Sequence, residues 1–196
     1  MLVGVGVFRY NACVSRSLVE TFIRKRPVYR GNAVNFCVDQ VRLPNGRTAQ
    51  REYLDHPGAV GVVPFLDKAT VVLVKQYRYP VREATYEIPA GKLVHRREDP
   101  RACLERELRE ETGYTAGRIR RLLTYWPTPA FSDEVLHLYV ATALKPGRVS
   151  PDEDEFLEPV RVPFDKAMDW VFSGKIRDSK TVIALMACAL KRPKTE

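Results

Sequence analysis

Short apolar runs separated by turn-forming residues dominate the first part of the chain and predict strands. A strand is expected from about residue 18 to 22, and two more at 33–43 and 47–53. The latter two flank Pro44-Asn45-Gly46, and Asn-Gly between such runs is a strong hairpin signal. His56-Pro57-Gly58 then breaks the pattern. Continuous apolar runs follow at 59–64 and 70–76, joined by the polar turn at Asp67-Lys68, and they read as strands buried on both faces. Strands at 118–125 and 135–144 enclose a stiff, proline-rich loop at 126–134, a length and composition often put to functional use. A strand near 160–163 and helices at 164–173 and 179–190 complete the chain, with Gly174 as a helix stop.

Between these strands the apolar period changes to that of a helix. Asp99 is a good N-cap, Pro100 suits the first helical position, and Gly113 supplies the stop, so a helix is expected over Pro100–Thr112. At 100° per residue, Glu107, Glu110 and Glu111 fall within an arc of about 100°, flanked by the core-facing Leu104 and Leu108. Glu105, Arg109 and Thr112 are expected to point the other way.

A solvated face with an i,i+4 pair from Arg106 to Glu110 is the ordinary explanation of such a helix. It fits poorly here. Glu110 and Glu111 lie toward the C-terminal end, where the macrodipole disfavours negative charge, and Glu107 with Glu111 is a like-charge i,i+4 pair beside the buried edge. A positive partner is called for. Carboxylates without a His/Cys set suit Mg²⁺ or Mn²⁺ rather than zinc.

The composition is that of a globular protein: 196 residues, 45% of them hydrophobic, with no apolar run near the ~20 residues that would span a bilayer. No membrane partner is expected. The four cysteines, Cys13, Cys37, Cys103 and Cys188, form no C-x-x-C pair, which fits a reducing cytoplasm. The net charge of +8 is concentrated at the start, where Arg9, Arg16, Arg24, Lys25, Arg26 and Arg30 face Glu20 alone. Such a segment is a targeting presequence, a misassigned upstream start, or an arm that packs on a partner. With little excess charge elsewhere, nucleic acid is not the expected partner.

The stretch from Gly91 to Gly113 resembles the Nudix box, a glycine, five residues, a glutamate, seven residues, then R-E-hydrophobic-x-E-E-x-G-hydrophobic. Arg106-Glu107-Leu108-Arg109-Glu110-Glu111-Thr112-Gly113-Tyr114 matches the second half throughout. The first half departs, because six residues rather than five separate Gly91 from Glu98. The extra residue falls in the loop before the helix, which leaves the helical register intact. Tyr86-Glu87-Ile88-Pro89-Ala90-Gly91, Lys75-Gln76-Tyr77-Arg78-Tyr79-Pro80 and Pro129 in the later loop look like the ADP-ribose pyrophosphatase branch. The likeness runs over about 28–190 and leaves residues 1–17 outside it.

The resemblance implies a Nudix-type α/β/α sandwich around a mixed sheet, preceded by a small antiparallel sheet. Residues 1–57 would be a β-rich dimerisation arm, and 58–196 the hydrolase domain. The implied reaction is divalent-metal-dependent hydrolysis of ADP-ribose to AMP and ribose 5-phosphate. A broader nucleoside-diphosphate-sugar, oxidised-nucleotide or capped-RNA hydrolase, and a non-catalytic ADP-ribose sensor, are the alternatives. The implied metal ligands are Glu107, Glu111 and the Ala90 carbonyl, with Glu110 weaker or water-mediated. Glu98 is expected to support the site. The general base would come from the acidic run Asp152-Glu153-Asp154-Glu155, with Glu153 as the base and Glu155 as a further metal contact; the alternative is a solvated turn. Arg78 would contact the phosphates or else be a strand-end surface charge, and Arg51 and Glu87 would contact the nucleotide. Trp126 and Phe131 either stack on a base or pack in the core. His56, His95 and His137 are expected to be structural or solvated. A homodimer through the N-terminal sheet completes the expectation.

Overall fold

The computed structural model describes residues 18–150 and 156–191. These fall into two compact units, one ending at Leu54 and the other beginning at Asp55.

The first unit is an antiparallel sheet of β1 (Thr21–Arg24), β2 (Pro27–Arg30), β3 (Asn35–Arg42) and β4 (Thr48–Leu54). The predicted run at 33–43 becomes β3, which pairs with β4 on one side and, end to end, with β1 and β2 on the other. The hairpin turns at Gly46, whose φ of 84° is left-handed and suits a residue without Cβ. Asn45 Oδ1 accepts the Arg47 N–H at 3.1 Å and closes the turn. The first strand begins at Thr21, later than the apolar run suggests, and every residue of β1 and β2 is exposed.

The second unit is built on β5 (Ala59–Pro64), a strand buried along its whole length. It lies parallel to β10 (Leu136–Pro146) and antiparallel to β8 (Ala90–Lys92), and β9 (Tyr114–Tyr125) completes a mixed sheet in the order β8-β5-β10-β9. An antiparallel sheet of β11 (Leu157–Pro163), β6 (Thr70–Arg78) and β7 (Glu83–Glu87) stands beside it.

Alternation along β5 explains the layers. Val60 and Val62 pack with Cys103, Leu104 and Leu108 of α1 (Pro100–Thr112). Ala59 and Val63 belong to the opposite cluster, with Phe164 and Ala167 of α2 (Phe164–Phe172) and Ala184, Leu185 and Cys188 of α3 (Ser179–Lys191). Helices therefore cover both faces, which makes the α/β/α sandwich. A strand buried this way has no polar face to present, which is why β5 reads as one apolar run.

Several elements differ from expectation, among them β2, which was not predicted. β7 and β8 were not predicted, because Glu83–Glu87 is mostly polar and Ala90–Lys92 is three residues long; their cross-strand partners decide them. β9 starts four residues before the predicted 118, since the left-handed Gly113 (φ 73°) sends the chain from α1 straight into pairing with Pro146. Thr112 does not point outward. It is buried, donates its hydroxyl to Leu108 O and accepts the Tyr114 N–H at 3.2 Å, because the last turn of α1 runs directly into β9.

Candidate active site

The ends of α1 are set as its sequence predicts. Asp99 accepts the Arg101 N–H at 3.1 Å, Pro100 occupies the first turn, and the Gly113 N–H donates to Arg109 O at 2.9 Å. This fixes which side chains meet the sheet. Glu107 and Glu111 are buried, at 9% and 4% exposure, while Glu105 pairs with Arg101 in solvent.

Both buried glutamates face β8. Glu111 Oε2 accepts the Ala90 N–H at 3.1 Å. Glu107 lies over Gly91 so closely that a Cβ there would fall 2.0 Å from its Cδ and Oε1. Gly91 is thus required by close approach, which is the physical meaning of the glycine that opens the motif. The extra residue is taken up in the turn beyond β8. Glu98 Oε2 accepts the Val94 N–H at 2.5 Å, and the Glu98 N–H donates to His95 O at 3.0 Å, so Glu98 closes the enlarged loop.

Positive charge is supplied by Arg106, which pairs with Glu107 at 2.8 Å and Glu110 at 3.1 Å. Burial works against the charge on Arg106, but Glu107, then Cys103 and Glu110, outweigh it and drive the guanidinium pKa further up. Burial likewise pushes the neighbouring Cys103 thiol up to about 11, with Glu107 and Glu98 adding to it, so this cysteine is not a nucleophile at neutral pH.

Arg78 and Glu87, predicted separately, form one unit. The guanidinium grips the carboxylate as a fork, Nε to Oε1 and Nη2 to Oε2, both at 2.8 Å. Thr85 donates to Glu87 Oε1 at 2.6 Å, and Lys180 pairs with Oε2. Burial pushes the Glu87 carboxyl upward, yet Arg78 first and then Lys180 and Thr85 hold it at about 2. Glu87 is 1% exposed and committed to three partners, whereas the Arg78 side chain is 45% exposed. The pair lines a cavity of about 720 Å³ with Asp178 and Lys180, and Glu87 stands three residues before Ala90 in the chain.

Ala90, Glu107 and Glu111 are thus brought together, with Glu110 alongside. Arg51 lies in the N-terminal unit, paired with Glu20. Glu153 and Glu155 lie outside the described residues; Ser150, just before them, donates its N–H to Glu110 O at 3.1 Å. Trp126 and Phe131 are 65% and 55% exposed, which removes core packing as their explanation. The histidines make local contacts, such as His56 Nδ1 accepting the Gly58 N–H at 3.1 Å and His95 Nδ1 accepting the Arg97 N–H at 3.2 Å. His137 sits against Thr124, 3.1 Å from its hydroxyl.

Sequence reasoning missed Asp178, Lys180 and Thr181. Asp178 caps α3, accepting the Thr181 N–H at 2.9 Å, so an N-cap signal ahead of the apolar helix was there to be read. Missed too was Arg96, which bridges Asp55 and Asp133.

Among the described residues, no three His, Cys, Asp or Glu side chains converge closely enough to hold an ion by themselves. Glu107 and Glu110 are turned onto Arg106, and Glu111 onto the Ala90 amide. The donor set nevertheless suits a hard divalent cation. It consists of oxygen only, Glu107 and Glu111 are buried beside a main-chain turn, and Gly91 lets the Glu107 carboxylate approach that turn.

The NUDIX domain family model matches residues 55–184. The methanol dehydrogenase activator of Bacillus methanolicus is 42% identical over 88% of this chain and 94% of its own. The ADP-ribose pyrophosphatase of Bacillus subtilis (strain 168) is 38% identical over 90% and 96%. The chain belongs to the Nudix family and is a Nudix hydrolase. A solved structure of an ADP compounds hydrolase shares the fold, with a TM-score of 0.76 at 24% identity over 90% of this chain and 96% of that one. Among the described residues no helix is long and apolar enough to cross a membrane.

Proposed function

We propose that this protein hydrolyses the pyrophosphate of ADP-ribose to AMP and ribose 5-phosphate, using Mg²⁺, with Mn²⁺ able to substitute. The observation that carries this reading is the convergence of Glu107 and Glu111 on the Ala90-Gly91 turn, with the Arg78 fork held on the adjoining strand pair. The similarity to the ADP-ribose pyrophosphatase of Bacillus subtilis over nearly the whole of both chains supports the substrate.

Glu107, Glu111 and the Ala90 carbonyl would hold the cation, with Glu155 as a further metal contact and Glu110 weaker or water-mediated. When bound, it supplies charge neutralisation at the pyrophosphate and acidifies the attacking water. Glu153 takes the proton of that water as its oxygen bonds to phosphorus, and the bridging P–O bond breaks, leaving two monophosphates. The Ser150 contact to Glu110 O supports this assignment, because Ser150, the last described residue before the acidic run, lies beside the C-terminal half of α1. Arg78 contacts the phosphates through its exposed guanidinium while Glu87 orients it from below. Arg51, on the N-terminal sheet, contacts the nucleotide.

The N-terminal unit serves as a dimerisation arm. Phe22, Ile23, Val28 and Tyr29 are 40–61% exposed on short strands along the outer edge of β3, a surface suited to pairing with a second copy. The burial of Cys37, Cys103 and Cys188 suits a reducing cytoplasm.

The test is a panel of ADP-ribose, ADP-glucose, GDP-mannose and capped RNA, compared by kcat/KM with Mg²⁺. ADP-ribose should lead. Efficient cleavage of another nucleotide sugar with ADP-ribose untouched would refute the substrate and keep the class.

A further inference from the structure

The cap of α3 is bonded directly to the turn that carries Ala90. Thr181 is fully buried; its hydroxyl donates to Asp178 Oδ2 at 2.6 Å and accepts the Ile88 N–H at 2.9 Å. Pro89 has no N–H, so Ile88 and Ala90 supply the amide donors on either side of it. The Ile88 amide goes to Thr181, the Ala90 amide goes to Glu111 Oε2, and Pro89 O accepts the Val62 N–H at 2.9 Å. The turn is therefore pinned from the sheet, from α1 and from α3. The same cap reaches the arginine fork: Asp178 Oδ1 accepts from Lys180 Nζ at 2.9 Å, and Lys180 also pairs with Glu87 Oε2.

We propose that Thr181 and Lys180 are positioning residues acting on two different halves of the site. The proposal rests on the reading of Ala90, Glu107 and Glu111 as holding the cation and of Arg78 as the phosphate contact. Thr181 sets where the Ala90 carbonyl points, by fixing the amide on the far side of Pro89. Lys180 sets how tightly Glu87 holds Arg78, by sharing its charge. Valine matches threonine in shape but accepts no hydrogen bond, so Thr181→Val leaves the Ile88 N–H buried and unpaired, and the turn shifts to satisfy it. Lys180→Met leaves Arg78 as the remaining cation on Glu87. The fork then tightens and draws the guanidinium away from the phosphates.

Mn²⁺ affinity, titrated by electron paramagnetic resonance without substrate, reads the first half independently of turnover. Thr181→Val should weaken Mn²⁺ binding by about tenfold or more, the scale of an outer-shell loss, and Thr181→Ser should restore it. Thr181→Ala carries the same test if the valine variant does not fold. Lys180→Met should leave Mn²⁺ affinity unchanged and raise KM for ADP-ribose severalfold, with a smaller change in kcat. Wild-type Mn²⁺ affinity in Thr181→Val with a lowered melting temperature would make Thr181 merely structural and overturn its half. Equal loss of Mn²⁺ binding in both variants would overturn the division between them. If ADP-ribose proves not to be the substrate, the Mn²⁺ arm still decides the role of Thr181, while the substrate panel alone records the failure of that reading.

Discussion

Removing the charge of Glu87 should cost stability in a pH-dependent way. In Glu87→Gln the side chain keeps its size, but Arg78 and Lys180 lose their shared carboxylate. The carboxyl is held at about 2 in the folded protein against an ordinary 4.5. At about 1.4 kcal/mol per pH unit this gap is worth roughly 3 kcal/mol. The Arg78 side chain is 45% exposed, and water screening brings the expected loss to about 2–3 kcal/mol. The sign follows from the depressed pKa. The contribution is complete above pH 4.5 and fades as pH falls from 4.5 toward 2. Urea unfolding of the wild type and Glu87→Gln at pH 7 and pH 3 should therefore give a difference of about 2–3 kcal/mol that shrinks to about half or less at pH 3. A difference that stays constant between these pH values would show that the charge of Glu87 is not what the fold uses.

Glu111→Gln should lower kcat for ADP-ribose by more than about 100-fold, beyond the range of an outer-shell substitution, because it takes the charge from a direct ligand. A loss within tenfold, in steady-state assays at saturating Mg²⁺, would contradict its role. Gly91→Ala places a Cβ 2.0 Å from the Glu107 carboxylate. It should weaken Mn²⁺ binding in a titration, and unchanged affinity would show that Glu107 does not need its present position. Arg106→Met leaves Glu107 and Glu110 without their guanidinium. Its melting temperature in EDTA should fall below the wild type, and added Mg²⁺ should raise it by more than in the wild type, since binding to the folded state adds stability in proportion to ln(1 + [L]/Kd). Equal Mg²⁺ shifts in the two proteins would refute the view that Arg106 and the cation serve the same carboxylates.

What could be read from the chain was what neighbouring residues decide. Asp99, Pro100 and Gly113 bound α1 by local rules, and its period brought Glu107 and Glu111 to the buried edge together. β5 was legible because burial on both faces leaves a run with no polar position. The rest depends on contacts far apart in sequence. Ile88 and Thr181 are 93 residues apart, and nothing near either announces the bond between them. In the sequence Glu87 reads as a nucleotide contact, and only the pairing of β6 with β7 makes it a buried counter-ion. Thr112 fell on the outward side of the helical wheel, yet the chain folds back over the last turn of α1 and buries it. The Nudix resemblance named the glutamates and the Ala90 carbonyl, while the bonds that pin Ile88-Pro89-Ala90 to Thr181 and Glu111 became visible only as structure.

The most direct test is product identification. Purified protein, ADP-ribose and Mg²⁺ are incubated, and the products are resolved by anion exchange and ³¹P NMR. AMP and ribose 5-phosphate should form in equal amounts, and their formation should stop with EDTA. ADP-ribose recovered intact from the wild-type protein, or cleavage anywhere other than the pyrophosphate, would contradict the account.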